Sequence, residues 1–176
     1  MKKILLIVLS LALVLSFSGC LGAGGNKLEG ISLSDASEVS GVTDDKYDND
    51  LKGLEKYLID LKYIPEKAVA TEMMSAVIGA EKGDRYNYNI DSSSVYVELY
   101  EYDINNLNSD AKRVIGEIKE TGSFHVFDSN SDQDVIAAEL SYNGKYLLIY
   151  TGGDGNDDLK QRKSDFTKAV KEFHKG

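Results

Sequence analysis

The stretch from Val135 to Thr151 constrains the fold most, because Asn143-Gly144 sits there between two apolar runs. That dipeptide favours a two-residue hairpin turn with positive φ at both positions. Such a turn sets the register: Tyr142 faces Lys145, Leu140 faces Leu147, Ala138 faces Ile149 and Ile136 faces Thr151. Side chains alternate across a strand, so these residues share one mostly aliphatic face. The other face pairs Ser141 with Tyr146, Glu139 with Leu148 and Ala137 with Tyr150.

A second strand is predicted from Ser94 to Tyr102, SVYVELYEY, which places Val95, Val97 and Leu99 opposite Tyr96, Glu98, Tyr100 and Tyr102. Helical spacing appears first in Leu51, Leu54, Leu58 and Leu61, with Asp44, Asp45, Asp48 and Asp50 upstream to cap the helix and suit its positive end. Pro65 ends that helix or begins the next. Val69, Met73, Ala76, Val77 and Ala80 form a second stripe, read as a helix closed by Gly79 and Gly83, with Met73 and Met74 filling core. Ser109 is the expected cap of a third helix carrying Ala111, Val114, Ile115 and Ile118 and ending at Gly122. Phe124 to Phe127 is a short strand candidate. Asp157 or Asp158 caps a last helix that turns Phe166, Ala169, Val170 and Phe173 inward. The order predicts a single α+β domain over residues 44 to 176, with an antiparallel or mixed sheet of about four strands packed with about four helices.

The chain begins differently. Lys2 and Lys3 precede an apolar run from Ile4 to Phe17, broken only by Ser10 and Ser16, and small residues follow. Positive start, apolar core and small-residue site are the order of a secretory signal over residues 1 to 19. A bilayer-spanning helix needs about 20 apolar residues, more than this run offers, so a processed segment is expected, with an N-terminal membrane anchor as the alternative.

Phe17-Ser18-Gly19-Cys20 resembles the lipobox of prokaryotic lipoproteins, with Phe17 where Leu, Val or Ile is usual. The resemblance implies that Cys20, the only cysteine, carries a diacylglyceryl thioether and becomes the first residue after cleavage. The partner of Cys20 is then the lipid bilayer, and the protein is held at the cell membrane, facing outside the cytoplasm. Two acyl chains anchor stably because each buried methylene contributes about 0.8 kcal/mol. With Cys20 consumed, disulfides, zinc thiolates and cysteine catalysis are excluded from the folded part.

Residues 20 to 43 are rich in Gly, Ser and acids and read as a lipidated flexible tether, spanning about 26 Å for about 23 residues. Ile31 and Leu33 allow an edge strand as the alternative. The net charge is −9 and becomes more negative once Lys2 and Lys3 are removed, so nucleic acid is not an expected partner.

Asp128-Ser129-Asn130-Ser131-Asp132-Gln133-Asp134-Val135, followed by Glu139, resembles an EF-hand calcium loop, with Gln133 where a glycine makes the turn. The resemblance implies calcium on Asp128, Asn130, Asp132 and Glu139, with Asp134 adjoining. The hairpin opposes it, because an extended Val135–Tyr142 carries Glu139 about 16 Å from Asp134. Without calcium the loop is a polar connection, and no other cofactor is expected. His125 and His174 lack an identifiable nucleophile and are too separated for a metal site.

Eleven tyrosines stand against five phenylalanines and no tryptophan. Tyr96, Tyr100, Tyr102, Tyr146 and Tyr150 fall on the less aliphatic strand faces, where they suit a protein, peptide or glycan partner or pack under helices with their hydroxyls at the rim. The functional expectation is a membrane-anchored binding or envelope-assembly module rather than an enzyme. The alternatives are a small carboxylate-dependent hydrolase, with Glu98 facing Glu139 across a pocket, and a calcium-modulated binding domain.

Overall fold

The computed structural model describes residues 28–34, 39–127 and 135–175. Its elements are β1 (Gly30–Ile31), α1 (Leu51–Asp60), β2 (Thr71–Glu72), β3 (Lys82–Ile90), β4 (Ser93–Glu101), α2 (Ser109–Thr121), β5 (Ser123–His125), β6 (Val135–Ala137), β7 (Glu139–Leu140), β8 (Tyr146–Gly152) and α3 (Asp157–Glu172). The fold class is α+β. A mixed six-stranded sheet runs β1-β3-β4-β8-β7, with β2 also on the outer edge of β3, and β5 pairs separately with β6. Among the described residues no helix is long and apolar enough to cross a membrane.

Both faces of the sheet are apolar where helices cover them. On one face α1 and α3 bury Leu51, Leu54, Leu58, Phe166 and Phe173 against Tyr86, Tyr88, Val95, Val97, Leu99, Tyr146 and Leu148. On the other, α2 and β5–β6 bury Val114, Ile118 and Phe124 against Tyr100, Tyr102, Leu147 and Ile149. Each helix starts on a side-chain cap. Asp50 accepts from Gly53 N–H, as expected of the acidic run. Asn108 caps α2 one residue ahead of the predicted Ser109, and Asn156 caps α3 ahead of the predicted Asp157 or Asp158. Gly122 ends α2 with a φ of 73°, a left-handed conformation that costs glycine no steric strain.

Three expectations are corrected. The stripe from Val69 to Ala80 is not an α-helix: β2 and a 3-10 turn over Ser75–Ile78 occupy it, leaving three α-helices among the described residues. Thr71 and Glu72 pair instead with Arg85 and Asp84, and Met73 N–H donates to Gly83 O at 2.8 Å, so the ladder takes the backbone groups a helix would need. The partner strand β3 went unassigned in sequence, although Tyr86, Tyr88 and Ile90 point inward while Arg85, Asn87 and Asn89 alternate outward.

The second correction concerns the turn. The register is as predicted at Leu140–Leu147 and Glu139–Leu148, but Asn143 does not take positive φ; only Gly144 does, at 72°. Gly144 N–H closes the turn on Ser141 O at 2.9 Å, while Tyr142 N–H leaves the ladder for Lys171 O in α3. Asn143 holds this wider loop, donating to His174 O and accepting from Lys145 N–H. Beyond β7 the chain also departs from the predicted pairs, because Ile136 pairs with Phe124 rather than Thr151.

The third correction shortens the tether. Gly30 and Ile31 add to β3 as a parallel edge strand opposite Asn89 and Ile90, and Ile31 and Leu33 pack on the core. Two backbone pairings and two apolar contacts outweigh the flexibility expected from composition.

Candidate functional site

The five tyrosines singled out in sequence do not share a surface. Tyr100 and Tyr102 are buried beneath α2, with the Tyr100 hydroxyl donating to Glu98 Oε2 at 2.6 Å and that of Tyr102 to Ile78 O at 3.3 Å. Tyr146 is buried on the opposite face and donates to Asn49 Oδ1 at 2.8 Å. Tyr150 packs edge-on against Phe166, and burial pushes its phenol up to about 12. Tyr100, Tyr102 and Tyr146 belong to the core, and Tyr150 packs half-buried against it at the wall of a surface cavity. Tyr96 alone is open, at 44 % exposure.

What exposes Tyr96 is the length of α2. The helix and β5–β6 cover the sheet over Tyr100, Leu147 and Ile149, and the remaining half of that face has no element above it among the described residues. Cross-strand register sets Asn87, Tyr96 and Thr151 in one row, and Arg85 and Glu98 in the next toward α2. Arg85 binds Glu98 Oε1 through Nε at 2.9 Å and also through Nη2, so the charges are matched and the guanidinium is fixed. Ser94 Oγ donates to Asn89 Oδ1 at 3.0 Å. The buried Asn87 Oδ1 has no protein donor. The result is an open patch of one aromatic ring, amides, hydroxyls and a neutralised ion pair.

The only sequence signal for this patch was strand alternation at Tyr96. Arg85, Asn87 and Asn89 were missed because β3 was missed.

A different chemistry lies inside the other face. Glu55 and Asp84 are both buried, and Lys52 Nζ reaches Glu55 Oε2 at 2.9 Å and Asp84 Oδ2 at 2.8 Å. Burial, then hydrogen bonding to Asp84, raises Glu55 to about 7, with Lys52 opposing. Burial also pushes Asp84 up, but bonds from Lys52 and Glu55 outweigh it and hold Asp84 below its ordinary range. One proton shared by the two acids, with Glu55 donating, accounts for both directions. Neither acid lines the cavities of about 440, 300 and 170 Å³ found on the surface.

Glu101, also buried, accepts from Leu51 N–H at 3.0 Å, Lys82 at 3.1 Å and Lys145 at 3.1 Å. This joins the start of α1 to the sheet. Arg162 is buried at the 440 Å³ cavity beside Tyr63, with Asp158 and Asp165 in the same wall, and donates to Lys62 O. Its guanidinium lies 5.4 Å from the Tyr63 ring centre, a stacking role.

Glu98 and Glu139 do not face each other. Glu98 shares the side of Tyr96 and Tyr100, whereas Glu139 stands opposite Leu148, on the α3 side, and binds Lys171 at 3.0 Å. Asp128, Asn130, Asp132 and Asp134 lie outside the described residues, as does Cys20. Among the described residues no group of three or more His, Cys, Asp or Glu is placed to hold a metal. His125 Nδ1 and its backbone N–H meet Glu117 Oε2 at 3.1 and 2.7 Å, tying β5 to α2. His174 N–H donates to Asp44 Oδ2, and its Nε2 lies 2.9 Å from Tyr47 O.

Comparison with protein families, curated proteins and solved structures gives no match for this chain.

Proposed function

We propose that this chain is a lipoprotein whose Cys20 anchors it to the cell membrane and whose domain binds an envelope glycan outside the cytoplasm. The observation that carries the binding reading is the uncovered half of the sheet, with Tyr96 between Asn87 and Thr151 in one cross-strand row. A sugar ring offers a C–H face to an aromatic ring and hydroxyls to amides, and this patch supplies both without a net charge. The anchor reading is supported by the lipobox-like Phe17-Ser18-Gly19-Cys20 behind an apolar run.

The two parts are tested separately. Growth with a labelled fatty acid, followed by fractionation, is expected to label the wild-type membrane fraction but not Cys20→Ser; a Cys20→Ser protein that kept both label and membrane location would overturn the anchor. For binding, the mature protein is screened against a glycan array and the hits are titrated. Tyr96→Ala is expected to weaken them about tenfold, a loss near the 1.4 kcal/mol that a stacked ring contributes. Hits that Tyr96→Ala leaves unchanged, or an array without hits, overturn the glycan reading and favour a protein partner.

A further inference from the structure

We infer that the β3 edge of the sheet, carrying Val69, Met74, Val77 and Leu28, is the surface that rests on the bilayer interface. The inference builds on the anchoring of Cys20 proposed above. It starts from where the chain enters the fold. Glu29 O accepts from Asn89 N–H at 2.9 Å, and Gly30 and Ile31 then pair with Asn89 and Ile90, so the entry point lies on the outer edge of β3. Seven residues separate Cys20 from Leu28. In any conformation that connection reaches at most about 28 Å, so this edge cannot move far from the lipid.

The same edge carries unusual apolar exposure. Val69 and Met74 are each 81 % exposed, Val77 38 % and Leu28 37 %. Register places them along one edge of β3. Val69 stands two residues before Thr71, which pairs with Arg85, and Leu28 two residues before Gly30, which pairs with Asn89. Both strands therefore begin near the flank of Asn87 and run along β3 in opposite directions. Met74 and Val77 follow β2 at the other end of its pairing. Among the described residues, the remaining exposed large apolar side chains are elsewhere: Tyr96 on β4, Tyr142 at the β7–β8 turn, Phe127 and Val135 beyond β5 and before β6, and Ile104 after β4.

Free in solution, four side chains would bind a membrane weakly. Tethering makes the contact intramolecular, at an effective concentration in the millimolar range, and a small patch then suffices. The charges around it select the kind of surface. The edge carries Glu29, Glu72 and Glu81, Glu66 and Lys67 offset each other, and the cations Lys82 and Arg85 are held by Glu101 and Glu98, so the edge fits an electroneutral interface and is repelled by a strongly anionic one. In this pose the strands run along the membrane plane and β7 lies farthest away. Tyr96 stands one strand out from the lipid, within reach of a ligand that is itself close to the membrane surface.

The absence of tryptophan from the chain makes the pose measurable. Residues 20 to 176, bearing Val69→Trp, Met74→Trp or Tyr142→Trp, are coupled through the Cys20 thiol to maleimide lipid in phosphatidylcholine vesicles with brominated acyl chains. All three positions are exposed, so the new rings do not disturb the core. Val69→Trp and Met74→Trp are expected to lose at least half their emission to the bromine, and Tyr142→Trp less than a tenth. Equal quenching at all three sites, or none at Val69 and Met74, overturns the inference. Because the link is made chemically, the result stands whether or not the cell lipidates Cys20, which the fatty-acid labelling decides on its own.

Discussion

The two faces of the sheet are finished differently. Against one, α1 and α3 lie over β3, β4 and β8, and Leu54, Leu58, Tyr88, Val97, Leu99 and Phe173 are almost wholly removed from solvent. Against the other, α2 and β5–β6 cover only the half around Tyr100 and Leu147, leaving Tyr96, Arg85 and Thr151 in water. The covered face also contains the buried acids Glu55 and Asp84, reached from the surface by the exposed Lys52, while the open one keeps its Arg85–Glu98 pair at the surface. Stability is therefore concentrated on the first face, and tolerance to change, which a binding surface needs, on the second.

The contrast can be broken most severely at Phe173. Its ring contacts Tyr57 and Tyr146 at centroid distances of 5.3 and 5.5 Å. Phe173→Ala is expected to cost about 3–5 kcal/mol in denaturant unfolding, the range for truncating a buried aromatic. A loss below 1 kcal/mol would mean that α3 adds little to that face.

Glu55 gives the next largest effect, and it depends on pH. Its folded value of about 7 lies above the ordinary 4.5, so the folded state holds its proton more tightly. The associated stability is fully present below about pH 4.5 and is lost as pH rises through 7. Glu55→Gln keeps a donor toward Asp84 at every pH. It is expected to exceed wild type by up to about 3 kcal/mol at pH 8, at 1.36 kcal/mol per unit, and to match it near pH 4.5. Parallel stability curves from pH 4.5 to 8 would remove the shared proton.

Gly83 tests how α2's face was built. A Cβ there would lie 2.4 Å from the Tyr100 ring, itself packed under α2. Gly83→Ala is expected to cost about 1–3 kcal/mol by overpacking, read as a lowered midpoint. An unchanged midpoint would show that the ring can move aside.

Tyr96→Ala should change stability by no more than about 0.5 kcal/mol, as suits an exposed side chain. A larger loss would mean that the open half is covered in solution. Smallest of all, millimolar calcium is expected to leave Tm unchanged. A rise that Asp132→Asn abolishes would instead assign calcium to Asp128, Asn130, Asp132 and Asp134.

Legibility followed the same division. β4 was readable because Val95, Val97 and Leu99 alternate without interruption, and α3 because Phe166, Ala169, Val170 and Phe173 keep helical spacing and are all buried. β3 escaped because its outward residues face the open half and are polar, while Lys82 and Gly83 followed a stripe that resembled a helix. That stripe had the spacing but not the partners: Thr71 and Glu72 bond to β3, which no local window contains. Alternation assigned the five tyrosines to the less aliphatic strand faces, but their exposure depended on which helices lie above them: α2 over Tyr100 and Tyr102, α3 over Tyr146 and Tyr150.

Local chemistry thus determined, without the fold, the register at Leu140–Leu147, the acidic start of α1, the end of α2 at Gly122, the class of the domain and the expectation of an anchor at Cys20. Each depends on residues within one turn, one strand or one signal, where spacing alone carries the information. Tertiary structure decided the rest: which strands join β3, which tyrosines are core, that Glu55 and Asp84 share one buried site, and that Tyr96 remains open. Those outcomes depend on which elements lie above a residue, and that is set by contacts between segments far apart in the chain.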